Sequence, residues 1–265
     1  MNYTAAQIAE VVSGKLVGNI SCKNTVLKTL LIDSRKLSTP ETSLFFALVG
    51  ERHNGHTYIN ELYEKGLSSF VVSELPANAN NLKDALFIEV ENTLLALQQL
   101  CAFHRNQFHI PILAITGSNG KTIVKEWLYQ LLREDKNIVR SPKSFNSQVG
   151  VPLSVWQMSE EHSMGIFEAG ISKPNEMAAL EKIIQPTIGL LTNIGEAHNE
   201  NFEDKKQKIK EKLKLFIHAE ILIYCKDYLL VTEELQSNKG LSNLKIFTWS
   251  RRLRSDLQIS KVSKT

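Results

Sequence analysis

The sequence predicts an α/β protein: a small N-terminal α/β unit over residues 1–90, then a parallel-sheet domain over 91–265 organised around a strand, a glycine turn and a helix. Three observations predict it. Short apolar runs alternate with segments of helical spacing, the pattern of strands crossed by helices in a parallel sheet. Residues 111–132, PILAITGSNGKTIVKEWLYQLL, read as a buried strand that passes through a glycine turn into an amphipathic helix. With 265 residues, 43% of them hydrophobic, the chain can bury the core of one large or two smaller domains.

In chain order, Thr4 is placed to cap a helix whose Ile8, Val11 and Val12 turn inward and which stops near Gly14. Strands are expected at 26–32, 43–48, 69–73 and 86–90, with a helix over 58–65 closed by Gly66 and a surface loop at 76–83. Residues 91–106 carry Leu94, Leu95, Leu97, Leu100 and Cys101 at helical spacing and lead into the strand before the glycine turn. After that turn Ile123, Val124, Trp127, Leu128, Leu131 and Leu132 form the expected docking stripe of the next helix. Strands at 138–141, 165–169, 187–192, 219–224 and 245–249 then alternate with helices, among them 175–184 and a lysine-rich one.

In an open parallel sheet, ligands collect beyond the carboxyl ends of the strands. Thr116, Gly117, Ser118, Asn119, Gly120, Lys121 and Thr122 form the first such end. The glycines permit a tight turn that aims backbone N–H groups and the positive helix end at a phosphate. Lys121 adds a point charge, and the Thr122 hydroxyl is a potential Mg²⁺ ligand. The generic phosphate-loop spacing fails here, since it needs glycine where Ile115 stands. The other ends are 141–152 (SPKSFNSQVGVP), Glu168 in IFEAG, and 192–198 (TNIGEAH). A carboxylate, Glu168, and an imidazole, His198, ending separate strands beside a triphosphate suit Mg²⁺. Residues 205–214 hold six lysines, ordinarily a solvated helix face, with Lys210 and Lys212 bordering a stripe of Ile209, Leu213 and Phe216 on opposite sides.

Composition excludes other classes. The net charge of +3 is too balanced to imply a nucleic-acid or membrane-surface partner. Cys22, Cys101 and Cys225 lie far apart without metal or redox spacing, as expected of reduced structural thiols. The N-terminus lacks a signal-peptide pattern and no apolar run reaches membrane-spanning length, so no membrane insertion and a cytoplasmic location are expected.

With these residues laid out, the chain resembles the Mur ligase family, and within it the branch that adds D-alanyl-D-alanine to UDP-N-acetylmuramoyl-tripeptide. TGSNGKT resembles the family's shortened phosphate loop, FNSQVGVP its Asn-containing loop, FEAG and TNIGEAH its strand ends, and KLKLF the segment whose first lysine is carbamylated. IDSRK at 32–36 and FALVGERHNGH at 46–56 are similar to its UDP-sugar-binding segments. The likeness is collinear to about Tyr224. Ile123 departs from a frequent second hydroxyl and Asn54 from a frequent acidic residue.

The resemblance implies ATP and Mg²⁺ as cofactors and an acyl-phosphate route to a C–N bond. Residues 116–122 and Asn193 would bind the nucleotide, and Ser34, Arg35, Gly50, His56, Asn146 and Ser147 the substrates. Lys121, Glu168, His198 and a carbamylated Lys212 would be catalytic, with Thr122, Glu168, His198 and Lys212 holding metal. It also implies a missing third domain, so that these residues alone lack turnover, and a parent that in some bacteria runs on into an alanine racemase. The alternatives are a sister Mur ligase, a folylpolyglutamate synthetase-like ligase and a nucleotide-dependent module without ligation. Oligomeric state is not implied.

Overall fold

The computed structural model describes residues 2–51, 53–195 and 201–263. The chain forms two compact units that divide between His104 and Arg105.

The first unit is built on a five-stranded sheet of β1 (Lys15–Gly18), β2 (Thr29–Leu31), β3 (Ser43–Phe46), β4 (Ser69–Val72) and β5 (Leu86–Glu89), in the order β1-β5-β4-β3-β2. All neighbours are parallel except β1, which runs antiparallel to β5 at the edge. The sequence reading lacks β1 because Lys15 and Gly18 are exposed, Leu16 and Val17 only half-buried, and the four carry no clear alternation. The remaining strands are largely apolar and buried runs, each with one polar residue at an end, and three phenylalanines knit the central ones. Phe70 stacks on Phe87 at 5.5 Å and meets Phe45 edge-on at 6.5 Å. Helix α1 (Ala5–Val11) starts in a capping box of Thr4 and Gln7, which satisfies two N–H groups that a helix start leaves open. Helix α2 (Ile59–Glu64) buries Ile59 and Leu62 and ends at Gly66, whose φ of +90° suits glycine.

Helix α3 (Thr93–Arg105) groups with this first unit as far as His104, whereas the sequence boundary at residue 90 assigned it to the second. Its apolar face does not reveal which sheet it serves. Its ends do: the Thr93 hydroxyl donates to Ala47 O at 3.1 Å, and His104 Nδ1 hydrogen-bonds Tyr3 Oη at 3.0 Å.

The second unit has seven parallel strands: β6 (Ile112–Thr116), β7 (Ile138–Arg140), β8 (Met164–Glu168), β9 (Ile188–Leu191), β10 (Ile221–Cys225), β11 (Lys245–Ser250) and β12 (Leu257–Gln258). Their order, β7-β8-β6-β9-β10-β11-β12, places fully buried β6 between β8 and β9. The carboxyl ends of β6, β7, β8 and β9 are therefore neighbours. Helix α4 (Lys121–Leu132) packs Val124, Leu128, Tyr129 and Leu132 on Leu113, Ile115, Ile138 and Ile166. Ile123, Trp127 and Leu131, expected in that stripe, are 56%, 62% and 73% exposed. Six apolar residues spread too far around the helix for one sheet to cover them all.

Short helix α5 (Gly150–Val155) forms where the sequence suggested only a strand-end loop. Its start is possible because a Cβ on Gly150 would come within 2.9 Å of the Phe145 backbone. Helix α6 (Met177–Ile184) has its first amide capped by Glu211 Oε1 at 3.1 Å, and Arg105 fastens its end by donating to Ile184 O and Gln185 O. Helix α7 (Lys205–Leu213) docks through Ile209 and Leu213, and the Phe216 ring after it lies against Gly189 of β9, where a Cβ would be 2.4 Å away. Helix α8 (Leu229–Ser237) was not expected from the sequence; its Leu229 and Leu230 stay exposed, which blurs the apolar period. The three cysteines are free, Cys101 and Cys225 being buried. No helix among the described residues is long and apolar enough to cross a membrane.

Candidate active site

The turn after β6 is pressed against the end of β9. Gly117 adopts φ +147°, and a Cβ there would lie 1.9 Å from Thr192 Oγ1. Ser118 N donates to Asn193 O and Asn119 N to Asn193 Oδ1, both at 2.9 Å, and Thr192 Oγ1 donates to Asn119 O at 2.7 Å. Asn193 thus braces the loop by its backbone and side chain. It occupies two amides that the sequence assigned to a phosphate. Helix α4 starts at Gly120, φ +81°, with no side-chain cap, so the positive helix end faces the turn. Lys121 curls back to donate to Gly117 O at 3.0 Å, and burial lowers its pKa despite the charge of Glu168.

Glu168, at the end of β8, is fully buried. Its Oε2 accepts from Thr122 Oγ1 at 3.0 Å and from Asn146 Nδ2 at 3.4 Å, and its amide donates to Ser141 Oγ at 3.1 Å. Its Oε1 is 3.0 Å from Lys125 Nζ, an ion pair without a well-directed hydrogen bond. Asn146 can approach because Gly170 has no side chain: a Cβ there would be 2.9 Å from Asn146 Oδ1. Ser147 Oγ accepts from Gly150 N at 3.2 Å at the start of α5.

Lys212 is buried on α7 and donates to Gly117 O at 3.3 Å, while Lys210 is exposed and 3.9 Å from Glu234. The structure thus separates two lysines that helical spacing left equivalent. Burial, with the charges of Lys121 and Lys208 added, brings Lys212 from 10.5 down to about 7. Lys208 is also buried, donating to Gly195 O at 2.8 Å, so the lysine-rich helix is not simply a solvated face. Gly117, Ser118, Lys121, Asn146, Ser147 and Lys212 share the wall of a cavity of about 190 Å³. His198 lies outside the described residues.

In the first unit, Ser34, Arg35, His53, Tyr58 and Glu61 line a cavity of about 510 Å³. Asp33 holds the Arg35 guanidinium through two hydrogen bonds of 2.8 Å, and that contact keeps the Asp33 carboxyl at about 2. The rings of His53 and Tyr58 stack at 5.4 Å. His56 is engaged elsewhere: its Nε2 accepts from Ser73 N at 3.0 Å and its Nδ1 donates to Asn54 Oδ1 at 2.8 Å. Gly50 sits exposed in a short hairpin of Val49–Gly50 with His53–Asn54.

Sequence reasoning missed Lys125, the fully buried cation beside Glu168. The legible signal was a charge one helical turn after Lys121, next to Val124 on the sheet-facing side.

A parallel sheet with a glycine loop, a helix N-terminus and an acidic strand end defines a phosphate-loop protein. The Mur ligase middle domain matches residues 115–264, and the chain belongs to the Mur ligase family. Over 217 residues it is 35% identical to the UDP-N-acetylmuramoyl-tripeptide–D-alanyl-D-alanine ligase of Buchnera aphidicola subsp. Acyrthosiphon pisum, covering 82% of this chain and 45% of that protein. The Bacillus subtilis ligase of the same name is 29% identical over 265 residues, 99% of this chain and 55% of that one. A crystal structure of MurF from Acinetobacter baumannii superposes with a TM-score of 0.83 at 26% identity, over 94% of this chain and 53% of the other. The chain spans about half the length of the curated relatives it matches.

Proposed function

We propose that this chain carries the nucleotide and UDP-substrate sites of an ATP-dependent ligase that joins D-alanyl-D-alanine to UDP-N-acetylmuramoyl-tripeptide in cytoplasmic peptidoglycan precursor synthesis. The observation that carries this reading is the convergence of Lys121, Thr122, Asn146, Glu168 and Lys212 around the Gly117 turn, together with the activity in the relatives' names.

In this reaction a terminal carboxylate oxygen forms a bond to the γ-phosphorus of ATP, and the bond to the bridging oxygen breaks, releasing ADP. The amine of the dipeptide then forms the C–N bond, phosphate departs from the acyl carbon and the amine proton is lost. The chain's part is positioning and charge compensation. Lys121 would leave its own loop carbonyls for the β- and γ-phosphates, at the α4 N-terminus. The donor set suits Mg²⁺: a buried carboxylate whose Glu168 Oε2 meets the Thr122 hydroxyl, and an unpartnered Thr116 hydroxyl. Hard cations of this kind take oxygen ligands and keep several waters, so phosphate oxygens and water would complete the coordination. Thr122 and Glu168 would hold one ion, and His198 with a carbamylated Lys212 a second; bound there, Mg²⁺ offsets phosphate charge.

Carbamylation needs a neutral amine: the Lys212 nitrogen bonds to the carbon of CO₂ and a proton leaves. With a pKa of about 7 the neutral fraction rises through neutrality, so a carbamate signal in ¹³C NMR of the protein under ¹³CO₂ should grow from pH 6 to pH 8 and be absent in Lys212→Met. The same shift has a sign for stability. The unfolded chain keeps this proton to about 10.5 and the folded chain releases it near 7, so the Lys212 contribution improves as pH rises across that window.

Calorimetric titration of the folded chain with UDP-N-acetylmuramoyl-tripeptide, against UMP and an unrelated UDP-sugar, tests the substrate assignment. Selective binding of the muramoyl peptide is the expected result, and equal or absent binding would overturn it. Arg35→Ala should weaken this binding roughly 10-fold or more by removing a charge-assisted contact to phosphate. Undiminished affinity would remove the Asp33–Arg35 cavity from recognition.

A further inference from the structure

We infer that Lys125 is a positioning residue, a buried clamp that fixes which oxygen of Glu168 is presented to the Thr122 hydroxyl and hence to a cation on the nucleotide. The inference rests on the nucleotide–metal reading above and assigns a role to a side chain which that reading does not use.

Lys125 is fully buried, and taking an ammonium out of water is tolerated only where its three N–H groups find acceptors. Four oxygens surround it: Ser141 O at 2.7 Å, Lys143 O, Glu126 Oε1 at 3.1 Å and Glu168 Oε1 at 3.0 Å. The two carboxylates differ. Glu126 is part-exposed and already paired with Arg140, at 3.2 Å. Glu168 is fully buried and has its ion pair with Lys125.

With Oε1 held by Lys125, Oε2 alone is left toward Thr122 and Asn146. The same ammonium binds the carbonyls of Ser141 and Lys143, while the Ser141 hydroxyl accepts from the Glu168 amide. One cation therefore ties together helix α4, the strand end bearing Glu168 and the loop bearing Asn146. A side chain that only cemented these elements would not need to touch the carboxylate. This one is shared between the loop and the very group that faces Thr122.

The test is calorimetric binding of an unhydrolysable ATP analogue, with Mg²⁺ and with EDTA, to the wild-type chain and to Lys125→Met, Glu168→Gln and the double variant. Circular dichroism melts report whether each is folded. Mg²⁺ should tighten binding to the wild type, and Lys125→Met should lose about 10-fold or more of that gain while affinity in EDTA stays nearly constant. The double variant, which leaves no unpaired buried charge, should lose no more than Glu168→Gln alone, because the lysine acts through the carboxylate. If Lys125→Met does not fold, the comparison of the double variant with Glu168→Gln decides. A preserved Mg²⁺ gain in Lys125→Met, or a further loss in the double variant, would overturn this inference alone. A wild type with no Mg²⁺ gain would overturn the metal reading and this inference with it.

Discussion

Lys121→Ala is expected to weaken binding of Mg-ATP at least about 100-fold, since charge-assisted hydrogen bonds to phosphate contribute roughly 1.5–3 kcal/mol and Lys121 would make more than one. The fold should survive. The side chain contacts its own turn, at Gly117 O and Ser118 O, and burial already disfavours its charge. The variant should also alter its neighbour. Lys121 is one of the positive charges that depress Lys212, so its removal should raise the Lys212 pKa above about 7 and move carbamate formation to higher pH. Calorimetry reads the first effect and ¹³C NMR the second. Unchanged nucleotide affinity would sink the assignment of the turn to phosphate, and an unmoved carbamate profile would show that burial and Lys208, without Lys121, set the Lys212 value.

Gly117→Ala should cost stability as well as binding. At φ +147° any side chain is strained, and the added carbon would sit 1.9 Å from Thr192 Oγ1 with the Asn193 backbone 3.0 Å away. Strain at such a backbone position is worth about 1–3 kcal/mol and overpacking a similar amount, so a total on the order of 3 kcal/mol is expected in urea denaturation of the second unit. Relief requires the turn to move off the end of β9, breaking the bonds from Ser118 N and Asn119 N to Asn193. Nucleotide binding should fall with it. Gly120→Ala is the control: its φ of +81° is also strained, but a Cβ there meets nothing within 4 Å. A cost at Gly117 no larger than at Gly120 would show that contact with Thr192 does not shape the turn.

Much of the fold was legible because it depends on local period and turn chemistry. Strand β6, the glycine turn and the start of α4 fall where the apolar run, Gly117, Gly120 and the following helical stripe put them. Thr4 and Gly66 mark helix ends for the same reason. The errors occur where periodicity does not report packing. The stripe of α4 was too wide, β1 was too short, and α3 has an apolar face that does not name its partner. Within the candidate site, residue types at the strand ends were visible as chemistry but not as contacts. His56 and Asn193 carry polar groups suited to a ligand, yet their partners in the structure are Ser73, Asn54 and the phosphate loop itself.

By itself, then, the sequence determined the α/β class, the alternation of strands with helices around β6 and the glycine turn that follows it, all set within a few residues of chain. Only the tertiary structure decided that Lys212 rather than Lys210 reaches Gly117, and that Thr122, Asn146 and Lys125 meet on Glu168. Those contacts join residues 22 to 95 positions apart, and their existence depends on which strands lie side by side and in what register. Burial follows from the same placement. A lysine's helical neighbours do not reveal whether it faces water or another cation, and that difference takes Lys212 from an ordinary ammonium to an amine that titrates near neutrality.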